Sequence, residues 1–371
     1  MEKIRVLHLE LDSHLGGIES FLRNLAAQTE GSPVEADYVT SVEKPALQEE
    51  LHRLGGRIFR AAPHRRIIRY CRDVNRLIQS GYDIIHIHKN SAANILPVLL
   101  AKKNRKAVIV HSHNTRPSVG GAARLLHFLN RGYLSRAADI RFACSQEAGR
   151  WMFGNDDFEI VHNGIITDRF LFDREKREQK RKELGIGEKA VVIGHIGRFT
   201  EQKNQEALVE IFRRLCQRHP DAVLLLAGDG KRKAVVQRRA EETGLGKKVI
   251  FAGVRADIPE LLMGMDAFVM PSRYEGLPLS AVEAQASGLP VILSDTISGD
   301  TEITDGVSWF SLKEPPEAAA ELIWEQVQKT TDKKRTERNQ MVRGGGYHME
   351  DTAKRILEIY KKVIREKTRP E

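Results

Sequence analysis

The chain has 371 residues and a net charge of +9, with 41% hydrophobic and 29% charged residues. This composition is typical of a globular protein long enough for two domains, and it argues against fibrous or low-complexity chains. No apolar stretch approaches the roughly 18–20 residues of a membrane-spanning helix, and a charged N-terminus that enters a strand predicts no signal peptide. The three cysteines, Cys71, Cys144 and Cys216, lack metal-binding spacing and fit the reducing cytoplasm.

The first part of the chain alternates strand patterns with helical patterns. An apolar run at 4–9 ends in a loop containing Gly16 and Gly17, and apolar residues then recur at helical spacing. Further strands are predicted at 36–40, 57–59, 83–88, 107–111, 140–144 and 159–162. This alternation predicts a parallel sheet covered by helices on both faces.

The same alternation restarts after a polar, charged stretch at 167–189, which we interpret as an interdomain connection. The second series of strands is predicted at 190–196, 222–227, 249–251, 267–270 and 290–293. The predicted fold class is α/β, with two doubly wound Rossmann-like domains at 1–166 and 190–346. A charged C-terminal helix lies within 347–371.

Two glutamates in the segment 273–288 are the most informative residues of the chain. Glu275 precedes a helix that Pro278 is predicted to open at its first position. Glu283 falls within an apolar stripe of that helix, where a carboxylate needs a hydrogen-bond partner. The backbone N–H groups of Gly276 and Leu277 favour an anion. Carboxylates that accept from hydroxyls, beside a phosphate site, indicate a nucleotide sugar, although two solvated glutamates are an equally simple alternative.

A second loop, at 197–204, brings cations to the carboxyl end of a predicted strand. Gly197 permits a tight turn, and Arg198 and Lys203 flank it. Departure of a nucleoside diphosphate builds negative charge on its phosphate oxygens, which fixed cations stabilise. No Asp-x-Asp pair occurs in the sequence, so we expect these cations to replace a divalent metal. The prediction is a site with no metal and no cofactor.

Two His-x-His pairs, His86 with His88 and His111 with His113, end consecutive strands. Because side chains alternate along a strand, each pair lies on one face. Metal binding is one interpretation, although the usual accompanying carboxylates are not identifiable. Ordinary strand-end residues are the alternative for all but His113.

Positive charge is concentrated between His52 and Arg136, where 17 lysine and arginine residues face two acids, Asp73 and Asp83. Such a field favours an acidic partner. Nucleic acid is not expected, because aromatic interleaving and recognition motifs are missing from the sequence. An anionic membrane surface fits better, since Ile67, Ile68 and Leu77 give the segment 64–76 an apolar edge beside its arginines. A solvated basic face is the alternative.

Taken together, these motifs resemble those of family-4 retaining glycosyltransferases of the GT-B fold. The two glutamates separated by seven residues carry the resemblance, supported by the stretches 142–149, 162–164, 226–230, 251–257 and 283–290 with 294–296. The similarity covers nearly the whole chain and is most specific in its second half. Within the family, the sequence looks most like bacterial exopolysaccharide and capsule glycosyltransferases.

The resemblance implies two domains facing across a cleft, with the last helix returning to the first domain. It implies that Glu275 contacts the donor sugar, Glu283 the ribose, and Gly276 and Leu277 the diphosphate. It places His113 beside the reacting sugar. It also implies further donor-binding positions. Those at the phosphates are Arg198, Lys203, Gly16 and Gly17, and those near the base are Val254 and Arg255.

The expected function is therefore transfer of a hexose or N-acetylhexosamine from a nucleotide sugar, UDP-linked, to a carbohydrate or lipid-linked saccharide acceptor. Retention of anomeric configuration is implied by the resemblance alone. The expected location is the cytoplasm, including the inner face of the cell membrane. The alternatives are a nucleotide-sugar epimerase of the same fold, a non-catalytic nucleotide-sugar-binding or membrane scaffold protein and, more distantly, a metal hydrolase.

Overall fold

A computed structural model describes residues 3–13, 16–114 and 120–368, and the chain divides into two compact units. The first unit comprises Met1–Ile165 together with Gly346–Glu371, and the second comprises Ile166–Gly345. Each unit has its own parallel sheet and its own hydrophobic core. Within the described residues, no helix is both long and apolar enough to cross a bilayer.

The first unit contains a seven-stranded sheet in the order β3-β2-β1-β4-β5-β6-β7, with every pair parallel. Its strands are β1 (Ile4–Leu11), β2 (Val34–Thr40), β3 (Ile58–Arg60), β4 (Ile84–Lys89), β5 (Ala107–Ser112), β6 (Ile140–Ala143) and β7 (Glu159–Ile160). Its helices are α1 (Gly17–Thr29), α2 (Gln48–Arg53), α3 (Ile67–Ile78), α4 (Leu96–Lys103), α5 (Gly121–Ala137), α6 (Gln146–Phe153) and α14 (Met349–Thr368).

Strand alternation assigns the two faces of this sheet to different helices. Leu7 and Leu9 of β1 pack in a cluster with buried residues of α3, α4, α5 and α6. Val6, one position away, packs in a second cluster with α1, α2 and α14. The histidines of β1, β4 and β5 share the face of Val6, because they have the same alternation phase.

The second unit contains a six-stranded parallel sheet in the order β10-β9-β8-β11-β12-β13. Its strands are β8 (Val192–Ile196), β9 (Val223–Ala227), β10 (Val249–Gly253), β11 (Ala267–Met270), β12 (Val291–Ser294) and β13 (Val307–Phe310). Its helices are α7 (Arg174–Glu183), α8 (Gln205–Arg218), α9 (Lys233–Glu242), α10 (Ile258–Gly264), α11 (Leu279–Ala286), α12 (Pro316–Lys329) and α13 (Asp332–Val342).

The predicted α/β class with two doubly wound sheets is confirmed, and the prediction omits one strand of the described residues, β13. Residues 167–189, interpreted from the sequence as a connection, contain α7 and lie within the second unit. Charge alone misleads here, because Arg181 of α7 is buried and its guanidinium lies 2.6 Å from the carboxylate of Asp266. A buried, paired arginine looks like a solvated residue in a sequence.

Candidate active site

Both sheets reverse their strand order at one point, and ligands of doubly wound folds bind beyond the carboxyl ends of the strands there. In the second unit, the reversal lies between β8 and β11. The loop after β8 carries Arg198 and Lys203, and the loop after β11 carries Glu275. The fold therefore brings both predicted loops to one crevice of the second unit.

Lys203 and Glu275 are in direct contact. Their Nζ and Oε1 atoms lie 2.9 Å apart, and only 16% and 12% of the two side chains are exposed. Gln202 donates from Nε2 to Glu275 Oε1 and to the carbonyl of Tyr274, each at 3.0 Å. These bonds join the two loops and hold a carboxylate and an ammonium group at the mouth of the crevice.

Two glycines allow this close packing. A Cβ atom added to Gly197 would lie 3.2 Å from Nε2 of His195 and 3.4 Å from Cε of Lys203. Gly228, at the end of β9, has a φ of 132°, and a Cβ there would lie 2.1 Å from the carbonyl oxygen of Gly197. A side chain at Gly228 would therefore separate the loops after β8 and β9.

The start of α11 differs from the prediction in two details. Pro278 is the N-cap residue, one position before the helix, and α11 begins at Leu279. Glu283 does not lie in a buried stripe, because Leu279 and Glu283 are half-buried while Val282 and Ala286 are fully buried. An i, i+4 pair shares a face, and this pair occupies the more open one.

The half-buried Gly276 and Leu277 form the turn that leads into α11. Their backbone N–H groups donate no hydrogen bond to any residue among those described. The carbonyl of Gly276 accepts from Oγ1 of Thr301 at 3.3 Å, and the carbonyl of Glu275 accepts from the N–H of Ser298 at 3.0 Å. The turn is anchored through its carbonyls, which leaves the N–H groups for an anion.

The remaining predicted cations and loop residues of the second unit have different surroundings. Arg198 is exposed, and it forms no ion pair with a carboxylate in the described part of the chain. Arg255 pairs instead with Asp257 at 2.5 Å and with Glu183 at 2.9 Å, and these contacts raise its pKa. Val254 is 79% exposed. Arg255 is thus held by acids, whereas Arg198 is open to a ligand.

In the first unit, Gly16 and Gly17 begin α1 after β1. The N–H of Gly16 donates to Oε2 of Glu19 at 3.1 Å, which is the carboxylate half of a capping box. A Cβ at Gly17 would lie 3.2 Å from Nδ2 of Asn163. Leu15, which precedes Gly16 in the sequence, lies outside the described residues. The glycine loop therefore packs against the loop that carries Asn163.

His113 lies just after β5, with both ring nitrogens engaged. Its Nδ1 is 3.0 Å from Oδ1 of Asn163, and its Nε2 is 2.9 Å from Nδ1 of His88. Burial lowers the pKa of His113 to about 3, against a smaller raising effect of the bond to Asn163. The ring is therefore neutral at physiological pH.

His113 belongs to a cluster of five histidines on one face of the first sheet, at the ends of β1, β4 and β5. Strand register pairs His8 with His86 and His88 with His111. The proximity of these four rings therefore follows from the pairing of neighbouring strands. Burial lowers the pKa of His86, His88 and His111 well below the ordinary value and that of His8 to about 3. The cluster is thus uncharged at neutral pH.

Two sets of ring nitrogens in this cluster lie within 4.8 Å of one another, the distance expected for a shared cation. The sets are His8, His86 and His88, and His88, His111 and His113. The hydrogen bonds of His88 to His8 and His113, each at 2.9 Å, already account for both nitrogens of its ring. A cation would have to displace these bonds.

Sequence reasoning missed four residues of these sites: His8, Glu19, Asn163 and Gln202. His8 had a signal in its alternation phase, because it occupies the face that the later histidines share. Gln202 and Asn163 stood inside stretches that carry the resemblance, yet their contacts depend on loop conformation. Glu19 had the capping-box spacing, three residues after Gly16.

The second unit thus presents backbone N–H groups, an open arginine and a carboxylate–ammonium pair at the switch point of a doubly wound sheet. Such a set can hold a phosphorylated, hydroxyl-bearing ligand without a metal ion. The class that fits two Rossmann-like units with this site is the glycosyltransferases of the GT-B fold.

Comparisons with known proteins agree with this class. The profile of Glycosyltransferase Family 4 matches residues 15–169, and that of Glycosyl transferases group 1 matches residues 176–343. The protein EpsF of Bacillus subtilis (strain 168), named as a glycosyltransferase, is 33% identical over 332 residues, which cover 86% of each chain. The chain therefore belongs to the glycosyltransferase family that combines these two regions.

Two further relatives are informative. The UDP-Gal:alpha-D-GlcNAc-diphosphoundecaprenol alpha-1,3-galactosyltransferase of Escherichia coli is 27% identical over 230 residues, covering 59% of each chain. The crystal structure of Anabaena Alr3699/HepE in complex with UDP has a TM-score of 0.81 at 19% identity, covering 97% of this chain and all of HepE. At that identity, the likeness to HepE establishes the GT-B fold.

Proposed function

We propose that this protein transfers a hexose or N-acetylhexosamine from a UDP-linked sugar to a carbohydrate or lipid-linked saccharide acceptor. The transfer proceeds with retention of anomeric configuration and belongs to exopolysaccharide or capsule biosynthesis. The observation that carries the proposal is the contact of Lys203 with Glu275 at the carboxyl ends of β8 and β11. Uridine is favoured because HepE was crystallised with UDP and the E. coli relative is named for UDP-Gal. Retention follows the family resemblance.

In this proposal, Lys203 and Arg198 contact the diphosphate together with the N–H groups of Gly276 and Leu277. Glu275 accepts from hydroxyls of the hexose, and Glu283 from the ribose. Donor binding replaces the Lys203–Glu275 ion pair with one contact from each residue to the ligand. The resemblance adds Gly16, Gly17 and His113 of the first unit and Val254 and Arg255 of the second as donor-binding positions, with His113 orienting the sugar.

The test is a thermal-shift panel of UDP-, GDP- and ADP-sugars, followed by mass spectrometry of products formed with lipid-linked acceptors. At 100 times its Kd, the correct donor adds about 2.7 kcal/mol of stability, a rise of roughly 5–10 °C for a unit of this size. Turnover should be unchanged in excess EDTA, because cations of the chain take the place of a metal. A free, epimerised sugar without acceptor would instead indicate an epimerase, and turnover that EDTA abolishes and Mg²⁺ restores would refute the metal-free site.

We also propose that helices α3 and α5 bind an anionic membrane surface, where a lipid-linked acceptor would be located. Both helices pack on the same face of the first sheet. On α3, Ile68 is 87% exposed. Leu77 was predicted to belong to the same apolar edge, but it is half-buried against the core. On α5, Leu125 and Leu129 are 62% and 68% exposed.

The charge around these residues supports lipid phosphate as the partner. Five exposed arginines of this segment form no ion pair within the described residues: Arg65, Arg66, Arg69, Arg72 and Arg76. Each basic residue near an anionic bilayer contributes about 1 kcal/mol, and exposed leucine and isoleucine add insertion into the interface. The surface formed by α3 and α5 therefore combines electrostatic attraction with insertion of apolar side chains.

We expect the protein to sediment with vesicles of phosphatidylglycerol and phosphatidylcholine and not with phosphatidylcholine alone. Replacing Arg65, Arg66 and Arg69 with glutamine should weaken binding roughly 100-fold, and the pair Leu125→Gln and Leu129→Gln should also weaken it. Val235→Gln, an exposed apolar residue of the second unit, is the matched control. Equal binding to neutral vesicles, or a dimer through α5 in light scattering, would contradict the proposal.

A further inference from the structure

Three histidines and an asparagine of the first unit form a continuous line of hydrogen bonds, which we call the imidazole chain. Nδ1 of His8 lies 2.9 Å from Nε2 of His88, and Nδ1 of His88 lies 2.9 Å from Nε2 of His113. Nδ1 of His113 then lies 3.0 Å from Oδ1 of Asn163. Each ring therefore uses its Nδ1 toward the next member of the chain.

The amide oxygen of Asn163 gives this chain one direction. A carbonyl oxygen only accepts, so Nδ1 of His113 carries a proton and donates it. In a neutral ring the other nitrogen is then an acceptor, so Nε2 of His113 receives the bond from Nδ1–H of His88. By the same rule, His88 accepts from Nδ1–H of His8. One acceptor thus sets the tautomer of three rings.

Asn163 is itself held in place by the surrounding loop. Its side chain is buried, and its amide nitrogen faces Gly17, where a Cβ would approach to 3.2 Å. The next carbonyl, of Gly164, accepts from Nδ2 of Asn24 in α1 at 2.9 Å. The N–H of Ile165 donates to the carbonyl of Tyr347 at 2.8 Å. The orientation of the amide is therefore set by α1 and by the segment before α14.

The surroundings shield His8 and His88 from solvent. His8 and His88 are at most 2% exposed, and Phe21 packs against the rings of His88 and His113 at centroid distances of 5.8 and 5.5 Å. Reversing one bond would require reversing all three, because each ring has one donor and one acceptor. The described polar groups offer His88 no other partners.

We propose that His88 and His8 are positioning residues for His113, and that the imidazole chain holds the His113 ring in the Nδ1–H tautomer and in one orientation at the end of β5. A ring whose nitrogens are both occupied presents a fixed, neutral surface to a ligand and is unsuited to act as a nucleophile or general acid. The effect on turnover rests on the proposed function, whereas the tautomer does not.

Long-range ¹H–¹⁵N NMR of the full chain labelled with ¹⁵N-histidine tests the tautomer directly. We expect His8, His88 and His113 to show Nδ1–H at pH 7.5, whereas free histidine in water favours Nε2–H. His113→Phe assigns the His113 signals. A His113 with its proton on Nε2, a protonated His113, or stoichiometric metal bound by His8, His86 and His88 would overturn the proposal.

Variants of His88 test the consequence for turnover. His88→Phe keeps a ring and removes both bonds, and kcat should fall about tenfold or more while the donor KM changes little. His88→Gln can donate to His113 and accept from His8, so it should recover much of the loss. His111→Phe is the control, because His111 is equally buried but lies outside the chain, and it should leave the His113 tautomer unchanged.

The outcomes separate the chain from the proposed function. A folded His88→Phe protein with wild-type kcat would overturn the positioning role. An intact Nδ1–H pattern in a protein that transfers no sugar to any acceptor would refute the proposed function and leave the tautomer assignment standing.

Discussion

Glu275→Gln is expected to lower kcat for sugar transfer by about 100-fold while the protein remains folded. A hydrogen bond to a charged group contributes roughly 1.5–3 kcal/mol, or about 10- to 150-fold in rate if it is made in the transition state. Glutamine has the same shape and still offers an oxygen to Lys203 Nζ, now 2.9 Å from Glu275 Oε1. The loss therefore reports the missing carboxylate charge, measured as steady-state turnover alongside thermal unfolding.

Lys203→Ala should lower kcat by about 100- to 1000-fold, the usual result of removing a group aimed at developing negative charge. Glu201→Gln and Lys231→Ala are matched controls, because both residues are exposed and outside the contact. Near-wild-type turnover in Glu275→Gln or Lys203→Ala would refute the site.

A double-mutant cycle separates the donor contacts from the resting ion pair. If Lys203 and Glu275 act on different groups of the donor, the two losses should nearly add in free energy. If the pair only holds the loops together, the double variant should lose no more than either single variant.

Acid is expected to destabilise the first unit far more than the second. The five histidines of its cluster, four of them buried and His113 half-buried, have pKa values lowered by burial, to about 3 for His8 and His113 and well below the ordinary 6.5 for the other three. Between pH 6.5 and about 3, the unfolded chain binds more protons, so stability is complete above 6.5 and falls as pH decreases. At pH 5 each neutral histidine accounts for up to about 2 kcal/mol.

Five such groups together approach the total stability of a domain, about 5–15 kcal/mol, so the first unit should unfold near pH 5. The second unit has His195, with a pKa lowered to about 4, and His219, which is only partly buried. The fluorescence of Trp151 reports on the first unit in the variant that lacks Trp309 and Trp324. Urea titrations at pH 8 and pH 5 then compare the loss of stability of the first unit with that of the second. Equal losses in both units, or no loss in the first, would contradict this expectation.

The fold was largely predictable because parallel strands in doubly wound units are buried on both faces and read as apolar runs. The four-residue strand β13 escaped prediction, since three of its residues are only half-buried and its pattern is short. Residues 174–183 were misinterpreted for a different reason: Lys180 and Arg181 are buried by pairing with acids from distant segments. The sequence alone shows which residues are charged but not which residues they pair with in the fold.

The geometry of the candidate site was predictable where it depends on strand ends and less so where it depends on loops. Lys203 and Glu275 follow neighbouring strands, so their approach follows from topology. The line from His8 to Asn163 needed strand register and the conformation of the loop after β7. The pairing of Arg255 depends on nearby sequence instead, because Asp257 lies two residues away and accepts hydrogen bonds from its guanidinium.

The membership of α14 in the first unit has a consequence for how the chain is built. The N–H of Met349 donates to the carbonyl of Ile165 at 2.9 Å, so the polypeptide leaves this unit and re-enters it at adjacent points. The second unit is in effect an insertion within a discontinuous domain. A frameshift that removes the last twenty-odd residues would delete Met349, Ile356, Tyr360 and Val363 from the N-terminal core. It would therefore act as a core deletion rather than the loss of a tail.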